Sequence, residues 1–228
     1  MLVHGAGNSS GVWRFWHAAL ADLGWTSVAV DLRGHGASPG ELAATSMRDY
    51  ADDVEAALHD AGERPVVVGW SMGGLAAMMA AAGGDASACV CLAPSVPARK
   101  TDPSVGLRRG VFGPEEYGIT SRGPADQPAM ADLDSEERAV AIASLADDSR
   151  LARDERRAGV VVMSLPCPLL IVTGTEDEEW PRSAYDGLWL EADYVEAEGA
   201  SHWGLVLSRR VLEALVPRVT TWLQGHSP

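Results

Sequence analysis

Short apolar runs alternate with amphipathic stretches along nearly the whole chain. Several runs are wholly apolar, which is typical of strands that are covered on both faces of a sheet. Strands are predicted at 1–4, 25–31, 65–70, 87–93, 165–174 and 193–199, with helical spacing between most of them and a helix near 182–190 between the last two. Alternating strands and helices predict an α/β fold with a mostly parallel central sheet flanked by helices.

Some of the predicted helices carry signals at their ends or in their interiors. Ser10 is placed to cap the first helix, and Ser46 with Asp49 forms a capping box at the start of the second. The last helix, predicted over 208–223, contains Pro217. Because proline lacks the backbone N–H and clashes with the preceding turn, it is expected to kink this helix or split it in two.

The segment 94–164 breaks the alternation of strands and helices. It begins with a loop rich in proline and charge, continues through the Gly/Pro-punctuated stretch at 110–128, and ends in a charged helical stretch that starts near Ser135. An insertion of this length between two strands is typical of a lid. We therefore expect a single domain over 1–228, with 94–164 as a lid or cap inserted within it.

Composition narrows the classes of function. The net charge of −14 argues against a nucleic-acid partner, because phosphate binding requires clustered cations. It also mildly disfavours anionic substrates. The sequence contains neither a membrane-length apolar run nor a signal-peptide pattern, which predicts a cytoplasmic protein without a membrane span.

The cysteines predict no metal centre. Cys89 and Cys91 alternate within one apolar strand and Cys167 lies between two prolines, so all three are expected to be buried reduced thiols. We expect neither a metal nor a cofactor.

The motif Gly69-Trp-Ser71-Met-Gly73 follows a buried strand directly and opens an Ala/Met-rich helix. This strand–turn–helix setting is the one in which a Gly-x-Ser-x-Gly motif forms a nucleophile elbow. The glycines remove side chains that would collide in the tight turn. The helix N-terminus favours negative charge beside the serine.

Other polar residues follow neighbouring strands. His4-Gly-Ala-Gly comes after the first strand, where a second oxyanion donor is needed, Asp177 comes after the strand that ends near 174, and His202 follows the strand that ends near 197. Parallel strands place all of these loops at the carboxyl edge of one sheet. Glu176, Glu178 and Glu179 share the loop of Asp177 and compete with it as the candidate acid.

These motifs together resemble the α/β-hydrolase superfamily, in its compact, lid-bearing serine esterase-like branch. The resemblance covers nearly the whole chain and rests on HGAG, DLRGHGAS, GWSMGG, GTED and GASH in this order. The spacing Gly174-x-x-Asp177 favours Asp177 over its glutamate neighbours. The family also has one or two antiparallel strands before the HG strand, so we expect a shortened sheet edge or an incomplete N-terminus.

The resemblance implies a role for each site residue. Ser71 is the nucleophile, His202 the general base and then acid, and Asp177 the group that orients His202. The backbone N–H groups of Ala6 and Met72 form the oxyanion hole.

A substrate pocket beside this site is expected from aromatic residues in the elbow, the histidine loop and the lid. These residues are Trp70, Trp203, Phe112 and Tyr117. The charged stretch from Arg153 to Arg157 alternates arginine with acids and is interpreted as a solvated helix face. His4 and His35 are expected to shape and hydrogen-bond their own loops.

The fold alone does not decide the reaction. A serine nucleophile argues against dehalogenases and epoxide hydrolases, and Trp203 stands where the plant hydroxynitrile lyases carry a lysine. The sequence favours hydrolysis of a small-molecule carboxylic ester, lactone or thioester through an acyl-enzyme. Carrier-linked thioesterases or cyclases, C–C bond hydrolases, perhydrolases and a non-enzymatic small-molecule binding protein of the same fold stay open.

Overall fold

The computed structural model describes residues 1–62, 64–119, 123 and 127–226. A six-stranded sheet lies at its centre, formed by β1 (Leu2–Val3), β2 (Ala29–Val30), β3 (Val66–Trp70), β4 (Ala88–Leu92), β7 (Leu169–Gly174) and β8 (Asp193–Ala197). The sheet is wholly parallel, with the strand order β2-β1-β3-β4-β7-β8. A separate antiparallel pair is formed by β5 (Val111–Phe112) and β6 (Asp148–Ser149). The predicted parallel sheet is therefore observed.

Seven α-helices accompany the strands in the described part of the chain. They are α1 (Arg14–Asp22), α2 (Met47–Asp60), α3 (Met72–Ala81), α4 (Ser135–Ala143), α5 (Arg150–Ala158), α6 (Gly204–Leu207) and α7 (Arg209–His226). One-turn 3₁₀-helices lie at Ser10–Trp13, Leu42–Ala44, Pro114–Tyr117, Pro128–Met130 and Arg182–Tyr185. None of the helices in these ranges has the length and apolar character that crossing a bilayer requires.

The sheet is buried on both faces, because successive side chains of each strand enter two different hydrophobic clusters. Val68 and Val90 pack towards α1, α6 and α7 on one face. Val67, Cys89 and Cys91 pack towards α2 and α3 on the other. This double burial explains why β3 and β4 are wholly apolar in sequence and why β7 is apolar except for Thr173. The thiols of Cys89 and Cys91 are buried 3.5 Å apart and unoxidised, and Cys167 is half-buried.

Two predicted elements are shorter in the structure. The strand expected over 25–31 is reduced to Ala29–Val30, because it pairs at the sheet edge with β1, which is itself only two residues long. The helix expected near 182–190 is a single 3₁₀ turn, Arg182–Tyr185. Gly187 follows this turn with a φ of +79°, a conformation that ends a helix.

The predicted cap of the first helix was also wrong. Ser9, not Ser10, precedes the first turn, and the N–H of Ser10 donates to the Asp31 carboxylate at 2.7 Å. Of the two outcomes expected at Pro217, the split does not occur, because the last helix continues through Pro217 to His226. Its apolar face is buried against the sheet, and this burial outweighs the loss of one backbone hydrogen bond at the proline. The capping box of Ser46 and Asp49 is present as predicted.

The segment 94–164 lies between β4 and β7 in sequence. Its charged stretch forms two helices, α4 and α5, which are separated by β6. It packs onto the loop after β1: the N–H of Ala146 donates to the carbonyl oxygen of Gly7 at 2.8 Å, and the Ser144 hydroxyl donates to Oδ1 of Asn8 at 3.0 Å. The segment therefore covers the carboxyl edge of the sheet.

His4 joins the loops that follow β1 and β2. Its ring is buried, the N–H of Leu32 donates to Nε2 at 3.1 Å, and Nδ1 lies 2.9 Å from the carbonyl oxygen of Gly5. An Nε2 that accepts requires the neutral ring protonated at Nδ1. Burial, and then the neighbouring His35, lowers the pKa of His4 to about 3.

This lowered pKa predicts a loss of stability in mild acid. The unfolded chain protonates its histidine below a pH of about 6.5 whereas folded His4 stays neutral, so the free energy of unfolding falls as the pH decreases from there towards 3. Between pH 7 and pH 5 the loss from one such histidine is about 2 kcal/mol. Urea unfolding of wild type and His4→Gln at both pH values checks this.

The His4→Gln variant is expected to be less stable at pH 7 but to lose less on acidification. His17→Gln is the matched control, because His17 on α1 is only half-buried, whereas His4 is fully buried. An acid-induced loss that is as large in His4→Gln as in wild type contradicts the assignment.

Candidate active site

Ser71 lies in the sharp turn between β3 and α3. Its φ is +56° and its ψ is −121°, a conformation that non-glycine residues rarely adopt. Both backbone groups hold it there: its N–H donates to the carbonyl oxygen of Leu92 at 2.9 Å, and its carbonyl accepts from Gly74 and Ser95 at 3.0 and 3.1 Å. The strain of this residue is therefore maintained by its neighbours in β4 and α3.

Glycine is required on both sides of Ser71. A Cβ atom at Gly73 would lie 2.2 Å from the carbonyl oxygen of His4, and one at Gly69 would lie 2.3 Å from that of Gly73. Both obstacles are backbone atoms, which cannot rotate away as a side chain can. The first turn of α3 thus packs directly against the loop after β1.

Asp177 and His202 are hydrogen-bonded at the same edge of the sheet. Oδ2 of Asp177 lies 2.7 Å from Nδ1 of His202, and Oδ1 of Asp177 accepts the N–H groups of Glu179 and Trp180 at 3.0 and 2.9 Å. Burial by itself raises the pKa of Asp177, but these hydrogen bonds and the charge of His202 outweigh it, so the net pKa is lowered. An ionised Asp177 fixes a proton on Nδ1 and leaves Nε2 of His202 free to accept one.

Burial separates Asp177 from the acids that share its loop. Asp177 is only 4% exposed, whereas Glu176, Glu178 and Glu179 are all exposed. His202 is held from its other side by Trp70, whose Nε1 donates to the His202 carbonyl at 3.1 Å and whose ring lies 5.1 Å from the imidazole.

The loop after β1 brings Ala6 beside Ser71. Neither the N–H of Ala6 nor that of Met72 has a hydrogen-bond acceptor among the described residues. The next residue, Gly7, is anchored, because its N–H donates to the buried carboxylate of Asp148 at 3.0 Å. The two free N–H groups belong to a turn and to a helix N-terminus, the kinds of backbone that bind negative charge.

A cavity of about 60 Å³ opens beside Ser71 and His202. Three of the four predicted pocket residues line it, namely Trp70, Trp203 and Tyr117. Phe112 is not part of the lining. It is buried behind Tyr117, at 5.2 Å between ring centroids, because β5 pairs with β6 and directs it into the packing of the segment 94–164.

Sequence reasoning missed Arg156, which also lines this cavity. The stretch from Arg153 to Arg157 was expected to be a solvated face, but α5 turns Ala152 and Arg156 towards the protein. A signal for this was present, since Arg156 follows Ala152 by four residues and thus lies on the small-residue face of the helix. Asn8 is a further lining residue that the sequence did not single out, and Glu179, considered there only as a competing acid, also lines the cavity.

The described residues contain no group of three or more His, Cys, Asp or Glu side chains that is placed to hold a metal ion. A larger open groove, of about 740 Å³, is lined by the residues that precede β7 and β8. It therefore lies at the amino edge of the parallel sheet, opposite the edge that carries Ser71.

The family comparison agrees with this geometry. A model of the alpha/beta hydrolase family matches residues 1–214, and the chain belongs to this family. The predicted superfamily and fold, a mostly parallel central sheet flanked by helices, are thereby confirmed.

Three solved structures illustrate the similarity of fold. Tomato methylketone synthase I complexed with 2-tridecanone superimposes with a TM-score of 0.74 at 20% identity, over 99% of this chain and 97% of that one. A methylesterase from Arabidopsis gives 0.69 at 19% identity, over 97% and 99%. A monoacylglycerol lipase from Paleococcus ferrophilus gives 0.63 at 23% identity, over 99% and 93%. Identities this low establish the fold alone.

A curated relative shares higher identity over a shorter stretch. An uncharacterized protein of Mycobacterium tuberculosis (strain ATCC 25618 / H37Rv) is 40% identical over 79 residues, which is 34% of this chain. The match spans 23% of the length of that relative.

Proposed function

We propose that the protein is a serine hydrolase that cleaves a small carboxylic ester, lactone or thioester through an acyl-enzyme. The observation that carries this proposal is the hydrogen bond between Asp177 and His202, because His202 lines the same cavity as a serine held at positive φ. The family supports hydrolysis, and the esterases and lipase of similar fold are consistent with it.

Each group of the site has a defined role in the proposed reaction. Nε2 of His202 takes the proton of Ser71 as its Oγ attacks the carbonyl carbon, and the N–H groups of Ala6 and Met72 stabilise the oxyanion. The imidazolium is stabilised by Asp177 and protonates the leaving alcohol or thiol. Water, activated by the same histidine, then hydrolyses the acyl-enzyme.

The dimensions of the cavity bear on the substrate. About 60 Å³ beside Ser71 holds only a few non-hydrogen atoms, which favours short acyl groups over carrier-linked chains. The segment 94–164 acts as a lid in this proposal, since Tyr117 and Leu145 close the cavity from that side.

Ser71→Ala is expected to lower kcat/KM for p-nitrophenyl acetate by about 10³-fold or more, because only the oxyanion hole and substrate binding then remain. Steady-state kinetics check this, with circular dichroism to confirm an intact fold. Turnover close to that of wild type in the purified variant places the chemistry at another residue.

Asp177→Asn is expected to lower kcat by roughly 10³- to 10⁴-fold, because an amide neither fixes the Nδ1–H tautomer of His202 nor stabilises its positive charge. Glu178→Gln is the matched control, since Glu178 is exposed on the same loop, and its kcat is expected to stay close to that of wild type. Equal losses in the two variants contradict the assignment of the acid.

A further inference from the structure

Arg156 is a cation without a carboxylate partner in the described part of the chain. One NH₂ group lies 3.2 Å from the Tyr117 hydroxyl and the other lies 3.4 Å from that of Ser95, while Nε is enclosed without an acceptor. The neighbouring arginines differ: Arg150 and Arg153 both pair with Glu116. A half-buried charge with only neutral hydrogen-bond partners is costly, which makes Arg156 a candidate binding group.

Its surroundings keep the guanidinium charged. Burial favours the neutral form, but Tyr117 and then Asp148 outweigh it and the pKa of Arg156 is raised. Burial also raises the pKa of Tyr117, to about 12, so its hydroxyl keeps its proton and can donate to a ligand. Arg156 and Tyr117 thus offer a cation and a neutral donor to the same cavity.

Other charges near Arg156 do not neutralise this cavity. Asp148 is already engaged by Gly7, Tyr50 and Ser149, with His35 at 3.7 Å. Glu179 lines the cavity and its charge helps to raise the pKa of Arg156, but no ion pair joins it to the guanidinium among the described residues. It weakens the attraction for an anion without cancelling it.

We propose that Arg156 binds a carboxylate of the substrate, so that the preferred substrates are short esters carrying a free carboxylate close to the ester bond. This inference rests on the proposed hydrolase function, because Ser71, His202 and Arg156 line one cavity. A guanidinium donates two parallel hydrogen bonds to a carboxylate. This contact distinguishes the carboxylate from an amide of the same shape. The net charge of −14 repels anions at a distance, so selectivity for a carboxylate has to arise from local contacts in this cavity.

Two matched pairs of substrates test the proposal. Monoethyl succinate against ethyl succinamate places the carboxylate on the acyl side, and acetoxyacetate against acetoxyacetamide places it in the leaving alcohol. Wild type is expected to prefer the carboxylate of at least one pair by about tenfold or more in kcat/KM, the range for a charge-assisted hydrogen bond. The pair that shows the preference identifies the side of the ester bond that faces Arg156.

Arg156→Gln is expected to abolish this preference while hydrolysis of the neutral amide analogue persists. Arg156→Lys keeps the charge and retains part of the preference. Glu179→Gln removes the opposing negative charge and is expected to increase the preference for the carboxylate substrate. Arg157→Gln is the matched control, because Arg157 is exposed on the same helix, and it leaves the preference unchanged. A preference absent from wild type for both pairs, or preserved in Arg156→Gln, overturns the proposal.

Binding of succinate tests the anion site at Arg156 independently of the proposed hydrolase activity. Succinate is expected to raise the Tm of wild type and of Ser71→Ala alike, and not that of Arg156→Gln. Hydrolysis of neutral esters with no Arg156-dependent effect of succinate refutes the anion site alone. An Arg156-dependent effect without hydrolysis of any ester refutes the hydrolase and leaves the anion site standing.

Discussion

The contact between the first turn of α3 and the loop after β1 is the constraint on which the candidate site depends. No side chain fits between them, because a Cβ atom at Gly73 would lie 2.2 Å from the carbonyl oxygen of His4. This approach places Ala6, in the loop after β1, beside Ser71 at the start of α3. It also holds Ser71 at its positive φ, so that the cost of that conformation is met by packing elsewhere in the sheet.

The segment 94–164 supports the loop after β1 at the carboxyl edge of the sheet. Asp148 accepts from Gly7 and from the hydroxyl of Tyr50, which ties the loop after β1 to helix α2. The same segment supplies Tyr117 and Arg156 to the cavity. It therefore positions the loop after β1 and, in our proposal, also selects the substrate.

Much of the fold could be predicted from the sequence, because strands buried on both faces have to be apolar throughout. The meeting of Asp177 and His202 was likewise predictable, since loops that follow parallel strands share one edge. The limits of β2 and the continuity of the helix through Pro217 could not be predicted from the sequence. Both depend on tertiary partners, namely a short neighbouring strand and a buried helix face, rather than on local propensity.

The side chains of the segment 94–164 were the hardest to predict. An arginine among alternating charges is predicted from sequence to be solvated. Only the packing of α5 directs the Arg156 side chain towards the cavity. Phe112 illustrates the opposite case, because pairing of β5 with β6 places this aromatic residue behind Tyr117 instead of in the lining. Orientation within an insertion is set by contacts that local patterns do not encode.

The central claim is that Ser71 is an activated nucleophile. Intact-mass analysis after treatment with a fluorophosphonate, followed by peptide mapping, measures this directly, because the probe forms a covalent bond only with a serine activated by a neighbouring base. The account predicts stoichiometric modification at Ser71 in wild type and strongly slowed modification in Asp177→Asn. An unmodified Ser71 in the folded wild-type protein, or modification at another serine, contradicts it.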